Sequence, residues 1–316
     1  MRWASAAALV LVALPAHADE GGASFWLPGQ FASFAAVPAD PGFAVETIFY
    51  VRNATAAASV SLPRGGRVLN GLDTIEQYVY LTPGYAFADP VLHGQLWLGA
   101  TFSAGRNQAS TWGGLTGPRG NAIATSVSDT ASGISDLYPM ASLKWQVGAH
   151  NFMAYTTAGV PLGAYDPNRT AGVGLGHWAL DWGMGYTFQS AGGFEASLTA
   201  GMTYNFVNPT TGYQSGVDGH LDFGTSWSFS DSFYVGAVAY LFNQLGSDTG
   251  APPWLGGFQS RVAGAGPQLG GSFSLGPVAV DLSLRGYKEF AAQNRPEGWN
   301  VWFTVGLSRA SAEARR

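Results

Sequence analysis

The stretch HWALDWGMGYTFQ, residues 177–189, sets large and small residues in strict turn. Trp178, Leu180, Trp182, Met184, Tyr186 and Phe188 fall on one side, and His177, Ala179, Asp181, Gly183, Gly185, Thr187 and Gln189 on the other. A period of two is the mark of a β-strand with one apolar and one polar face. Length decides what kind of strand it is. Strands of soluble domains average about five or six residues, whereas a tilted strand crossing hydrocarbon needs about nine to eleven.

The pattern recurs along the chain. VDGHLDFGTSWSF (217–229) sets Val217, Leu221, Phe223 and Trp227 against Asp218, His220 and Asp222, and FEASLTAGMTYNF (194–206) sets Phe194, Leu198 and Tyr204 against Glu195, Ser197 and Asn205. VAVDLSLRGY (278–287) and LYPMASLKWQV (137–147) alternate in the same way. Weaker versions near 43–52, 72–87, 93–104, 150–162, 232–245, 262–275 and 298–309 bring the expectation to about twelve strands. The connections alternate too. Tight turns near 88–90, 148–150, 190–192, 230–231 and 276–277 separate longer segments at 53–71, 105–132, 163–175, 207–216, 246–261 and 289–297. Short turns at one end and long loops at the other are the pattern of an outer-membrane barrel. In hydrocarbon every backbone polar group needs an internal partner, so a spanning sheet must close on itself. The expected fold is all-β: a transmembrane antiparallel up-and-down barrel over residues 43–309, its bulky face toward lipid. Trp178, Tyr186 and Phe188 suit the membrane boundary, Trp182 sits nearer mid-strand, and the inward glycines leave room for something inside.

Composition agrees. Of 316 residues 47% are hydrophobic, 14% aromatic and only 11% charged, against about a quarter charged in soluble proteins. Arg2, the apolar run Ala6 to Leu14 and Ala16-His17-Ala18 form a secretory signal over residues 1–18. Its removal takes the net charge from −5 to −6, which gives no reason to expect nucleic acid as a partner. Cysteine is absent, so disulfides, thiolate catalysis, Cys-based zinc sites and a lipidated N-terminal cysteine are excluded.

Residues 19–42 break the alternation yet carry Phe25, Trp26, Phe31 and Phe34. So many aromatics left in water would be adhesive. The segment is therefore expected to plug the lumen or lie at its rim, with these four side chains as candidates for contact with solute. Within it, Trp26-Leu27-Pro28-Gly29-Gln30 through Pro38 resembles the start of a family of outer-membrane proteins of the meta-pathway of phenol degradation, and the alternating texture extends the likeness over most of the mature chain. The resemblance implies a barrel encoded near catabolic genes that admits aromatic or other hydrophobic compounds. The chain departs from many such barrels at its end: the last strand, Gly298 to Arg309, runs into a polar tail over 310–316 instead of stopping at an aromatic.

By the same register Glu46, Arg52, Glu76, Asp136, Lys144, Asp181, Glu195, Asp218, His220, Asp222, Asp281 and Arg285 face inward. They either form a polar constriction that filters solutes by charge or, as is expected of any such wall, pair with one another across the lumen. Asp218-x-His220-x-Asp222 with Ser226 could be imagined as a hydrolase, but a histidine base needs a nucleophile within hydrogen-bond reach. No residue is assigned to catalysis, a cofactor or a metal. Gly172-x-Gly174-x-Gly176 precedes a strand instead of opening a helix, so it is expected to be an external loop. Arg64 and Arg67 are ordinary exposed arginines. The expected function is a passive outer-membrane channel for small hydrophobic solutes in a Gram-negative bacterium, with membrane lipid and lipopolysaccharide around it and the oligomeric state open. The alternatives are an outer-membrane enzyme of lipase or protease type and an adhesive barrel acting through loops such as 105–132.

Overall fold

A computed structural model describes residues 24–61, 67–116, 118, 120–230, 232–250 and 259–310. The signal at 1–18 and the tail beyond Ala310 lie outside the described residues. The strands are β1 (Gly42–Ser61), β2 (Arg67–Ala86), β3 (Gln95–Thr116), β4 (Ala122–Val147), β5 (His150–Gly159), β6 (Ala179–Gln189), β7 (Phe194–Asn205), β8 (Asp218–Ser230), β9 (Phe233–Gln244), β10 (Arg261–Leu275), β11 (Val278–Gln293) and β12 (Glu297–Arg309). They form one closed antiparallel barrel in chain order, and β1 seals against β12 from Ala44↔Ser308 to Thr55↔Glu297. Every strand is paired on both sides through the spanning part, as hydrocarbon demands, while β1 past Thr55 and β4 before Leu137 extend beyond their β12 and β5 partners.

The faces follow the alternation. On β6, Leu180, Trp182, Met184 and Tyr186 are exposed, while Asp181, Gly185 and Thr187 are buried. Trp182 belongs to this outward set, 45% exposed. On β8, Leu221, Phe223 and Trp227 face out and Asp218, His220 and Asp222 face in. A belt of large exposed apolar residues in a well-paired sheet is a surface for lipid. The short turns gather at one end, two of them reversing on Gly148 and Gly276 at φ 60°, where a side chain would be strained. Both ends of the wall, Gly42 and Arg309, also lie at this end.

Three sequence expectations need correction. Segments 53–71 and 105–132, expected as loops, are mostly strand: β1 and β2 stay paired out to Ser61↔Arg67, and β3 and β4 out to Thr116↔Ala122. Beyond Asn53, Asp73, Arg106 and Ser132 most outward residues become small or polar, such as Thr55, Ser59, Gln108, Ser110, Ser126, Ser128 and Thr130, with Leu69 and Trp112 as exceptions, so the bulky-outside signal fades while the hydrogen-bond ladder continues. The loop expected at 163–175 as an external one spans 160–178 and turns inward. Ala171 and Val173 are buried against Leu72, Ala109 and Ala131, and Asp136 accepts hydrogen bonds from Gly163 N (2.8 Å) and Leu175 N (2.8 Å).

Candidate functional site

Residues 24–39 lie against the inner wall, and the wall supplies what their backbone lacks. An irregular segment out of water leaves N–H and C=O groups that must find partners. Asp222 on β8 accepts from Gly29 N (2.9 Å) and Phe31 N (3.2 Å), and Glu195 on β7 accepts from Phe34 N (2.9 Å). Thr187 accepts from Ala36 N at 3.1 Å. In the other direction Arg285 donates to Gln30 O (3.0 Å) and Lys144 Nζ to Val37 O (3.0 Å). Bonds to charged groups contribute about 1.5–3 kcal/mol each, so this set holds the segment firmly. The inward charges therefore do more than pair with each other.

Glycine allows the close approach. A Cβ on Gly224 would run into the backbone nitrogen of Ser33, and one on Gly159 would meet the Phe25 ring at 2.8 Å. Gly29 itself sits at φ +87° against the Tyr287 ring, where a Cβ would be 2.9 Å away. The glycines of the opening stretch serve another purpose. Gly183 faces Tyr155 and Gly185 faces Met153, so the space they leave is taken by neighbouring wall side chains.

Trp26, 1% exposed, stacks on the His220 ring at 3.6 Å and 14°. His220 Nε2 lies 3.0 Å from Asp181 Oδ2 and 3.4 Å from the Tyr155 hydroxyl, and Thr203 donates to Asp181 at 2.6 Å. Asp218 accepts from Asn205 at 2.9 Å. Ser226, the serine imagined for a hydrolase, donates to Glu195 at 2.9 Å, not to His220. The imidazole is thus covered by an indole and tied to a carboxylate, and it anchors the segment.

A second cluster runs along the inner wall of β2, β1 and β11. Arg52 bonds Glu76 (2.8 Å), Glu289 (3.1 and 3.2 Å) and Pro296 O (2.9 Å). Glu289 also accepts from Tyr240 at 3.0 Å and Gly298 N at 2.7 Å. The charges here pair between neighbouring strands of one stretch of wall instead of across the lumen as expected, and Glu289 was not foreseen as a member. At the loop end, Tyr213, Gly216 N and Gln244 all donate to Asp248, joining the loops at 206–217 and 245–250. Burial raises the Asp248 carboxyl above its ordinary range against the pull of those bonds.

Between the segment and the walls of β1–β4 and β10–β12 lies a cavity of about 870 Å³. One part is aromatic and thioether: Phe25, Phe31, Tyr78, Tyr80, Tyr138, Met140 and Met153. Toward the turn end it becomes polar, with Glu46, Lys144, Asp281, Arg285 and serines 228, 230, 232, 272 and 308, while Phe34 keeps one apolar side. Of the residues expected at the site, Phe25, Phe31, Phe34, Glu46, Glu76, Lys144, Asp281 and Arg285 line the cavity. Trp26, Arg52, Asp181, Glu195, Asp218, His220 and Asp222 do not line it and serve the packing behind it. Asp136 anchors the inturned loop. The tyrosines of β2 and β4 were missed because an inward face was expected to be polar throughout. Tyr78 and Tyr80 share their strand parity with Glu76, which was the available signal.

A family model described as the MetA-pathway of phenol degradation matches residues 52–305. Among solved structures, an outer-membrane channel from Pseudomonas putida F1 superposes with a TM-score of 0.62 at 12% identity, over 88% of this chain and 100% of that one. That identity shows a shared fold. A FadL homologue from Pseudomonas aeruginosa scores 0.43 at 10% identity (92% of this chain, 97% of that one). The CymD monoaromatic hydrocarbon channel scores 0.41 at 9% identity (87% and 91%). Neither of these two scores is high enough to bear on this chain. No curated protein matches it.

Proposed function

The chain belongs to the MetA-pathway family of phenol degradation, and from that premise we propose that it is an outer-membrane channel for passive entry of small hydrophobic or aromatic compounds. The observation that carries this reading is the 870 Å³ cavity with an aromatic part and a charged, serine-rich part. Its size and mixed lining suit one small molecule at a time. A barrel of twelve strands is too narrow for the wide aqueous channel that about sixteen strands give. In this reading residues 24–39 are a plug that occupies the remaining lumen. Phe25, Phe31 and Phe34 touch the passing solute, and Trp26 fixes the plug to His220. Solute enters at the loop end, which faces outward, and leaves past the serines at the turn end, which faces the periplasm. The family label, which names a pathway, supports an aromatic solute without specifying one.

Two measurements test the proposal. Removal of residues 24–39 raises ion conductance in planar bilayers several-fold, and unchanged conductance would remove the plug. Cells lacking the protein take up dilute toluene more slowly than cells supplied with it, and equal rates would remove the channel.

A further inference from the structure

The outer parts of β1–β4 carry an apolar surface on the side opposite to the lipid belt. Beyond Asp73, Arg106 and Ser132 most outward residues are small or polar, among them Gln108, Ser110, Ser126, Ser128 and Thr130, with Leu69 and Trp112 as exceptions. The inward residues include Val68, Leu72, Leu115, Ile123, Val127 and Ala131, interspersed with Asn70, Thr74, Thr111 and Thr125. Strand register sets them side by side: Val68 opposite Leu115, Leu115 opposite Ile123, and Val127 opposite Thr111, the partner of Leu72. At the top this face is bare, with Leu115 46%, Ile123 74% and Val127 64% exposed. Lower down Leu72 and Ala131 are buried beneath Val173 of the inturned loop, and Val173 also lines the cavity. Apolar side chains are thus spread down this face from the outer ends of β2–β4 to the cavity, and the charged residue among them, Asp129, has its carboxylate engaged by Arg169 at 2.6 Å and Ala171 N at 3.1 Å.

We propose that this concave face is a capture surface for small apolar solutes, which collect on it from dilute solution before entering the cavity. The proposal deepens the channel reading and rests on it for the onward step. Two observations select this occupant. The surface belongs to an arc with the curvature of the barrel, so it is concave and fits a small molecule better than a flat protein face. Its lower edge continues into the cavity. Large bare apolar patches otherwise weaken solubility and are kept for binding.

The absence of native cysteine makes a clean test available. Val127→Cys and Ser128→Cys are each labelled with pyrene in the full chain, in detergent, and titrated with p-bromotoluene as heavy-atom quencher. Quenching at position 127 is expected to be at least threefold stronger than at 128. Equal quenching overturns the capture surface, whatever uptake does. In parallel, Ile123→Ser with Val127→Ser is expected to slow toluene uptake two- to threefold at low concentration, to leave it unchanged near saturation and to leave conductance as in the parent. An unaltered low-concentration rate in a parent that does transport overturns the proposal. A parent that transports nothing but still shows the quenching difference sinks the channel reading and leaves the surface standing. A dimer of the parent that the serine variant loses would assign the face to a second copy and overturn the solute.

Discussion

The half of the wall made by β1–β4 and the half made by β5–β9 solve different problems. Strands β5–β9 have 10 to 13 residues, close to the minimum for crossing. Strands β1–β4 have 20 to 26, roughly twice what a bilayer requires. The inner face of the short half carries Asp181, Glu195, Asp218 and Asp222 beside Tyr155, Tyr240 and Phe242, and Glu195 and Asp222 there clasp the backbone of residues 29–34. The inner face of the long half carries Tyr78, Tyr80 and Tyr138 and borders the cavity. One side of the barrel holds a polypeptide and the other borders the cavity. The difference comes from what each inner face can offer: carboxylates satisfy N–H groups, and aromatic faces satisfy apolar molecules.

The comparison can be broken at three points. The largest effect is expected from Arg52→Ala, which leaves Glu76 and Glu289 facing each other in the lumen without their cation. Removing one partner of a buried ion cluster costs about 3–5 kcal/mol, so the temperature at which the barrel shifts to its unfolded gel mobility should drop clearly. Preserved heat stability would mean that the cluster is solvated and unimportant to the wall. A middle effect, and a different readout, is expected from Asp222→Ala combined with Glu195→Ala. Residues 29–34 lose three backbone partners, so on the proposed reading conductance rises several-fold while the barrel unfolds at nearly the parent temperature. If unfolding temperature falls as far as for Arg52→Ala, the short half needs its clasp for stability and the contrast between the halves disappears. The smallest effect belongs to Arg169→Ala. Its pairing with Asp129 is exposed, and exposed pairs contribute little. Heat stability should be unchanged, with only faster proteolysis of loop 160–178. A large drop would make the outer extension part of the structural wall.

The sequence displayed the short half better than the long one. Strands β6, β7 and β8 were legible because tryptophan, phenylalanine and leucine alternate with glycine, serine and aspartate. In β1–β4 the contrast fades and then reverses above the membrane, and a reader who follows bulky outward residues stops at Asn53 and at Arg106 although the ladder does not. The need of Phe25 and Trp26 for cover was evident from their chemistry, but the covering residue was not. Asp222 looked like a solvated wall charge because its partner Gly29 is 193 positions away. The inward turn of Gly172–Gly176 was hidden for the same reason, since it depends on Asp136 and on the apolar faces of β2–β4.

That separation also governs the order of events when the protein is made. Gly29, which precedes every strand of the wall, finds its partners on Asp222 and on Tyr287, the latter 258 positions later. Contacts so distant in the chain form late and slowly. A segment made ahead of the wall must therefore wait, unseated, until nearly the entire wall exists, and any factor that escorts the nascent chain has to keep Phe25 and Trp26 shielded for that whole interval.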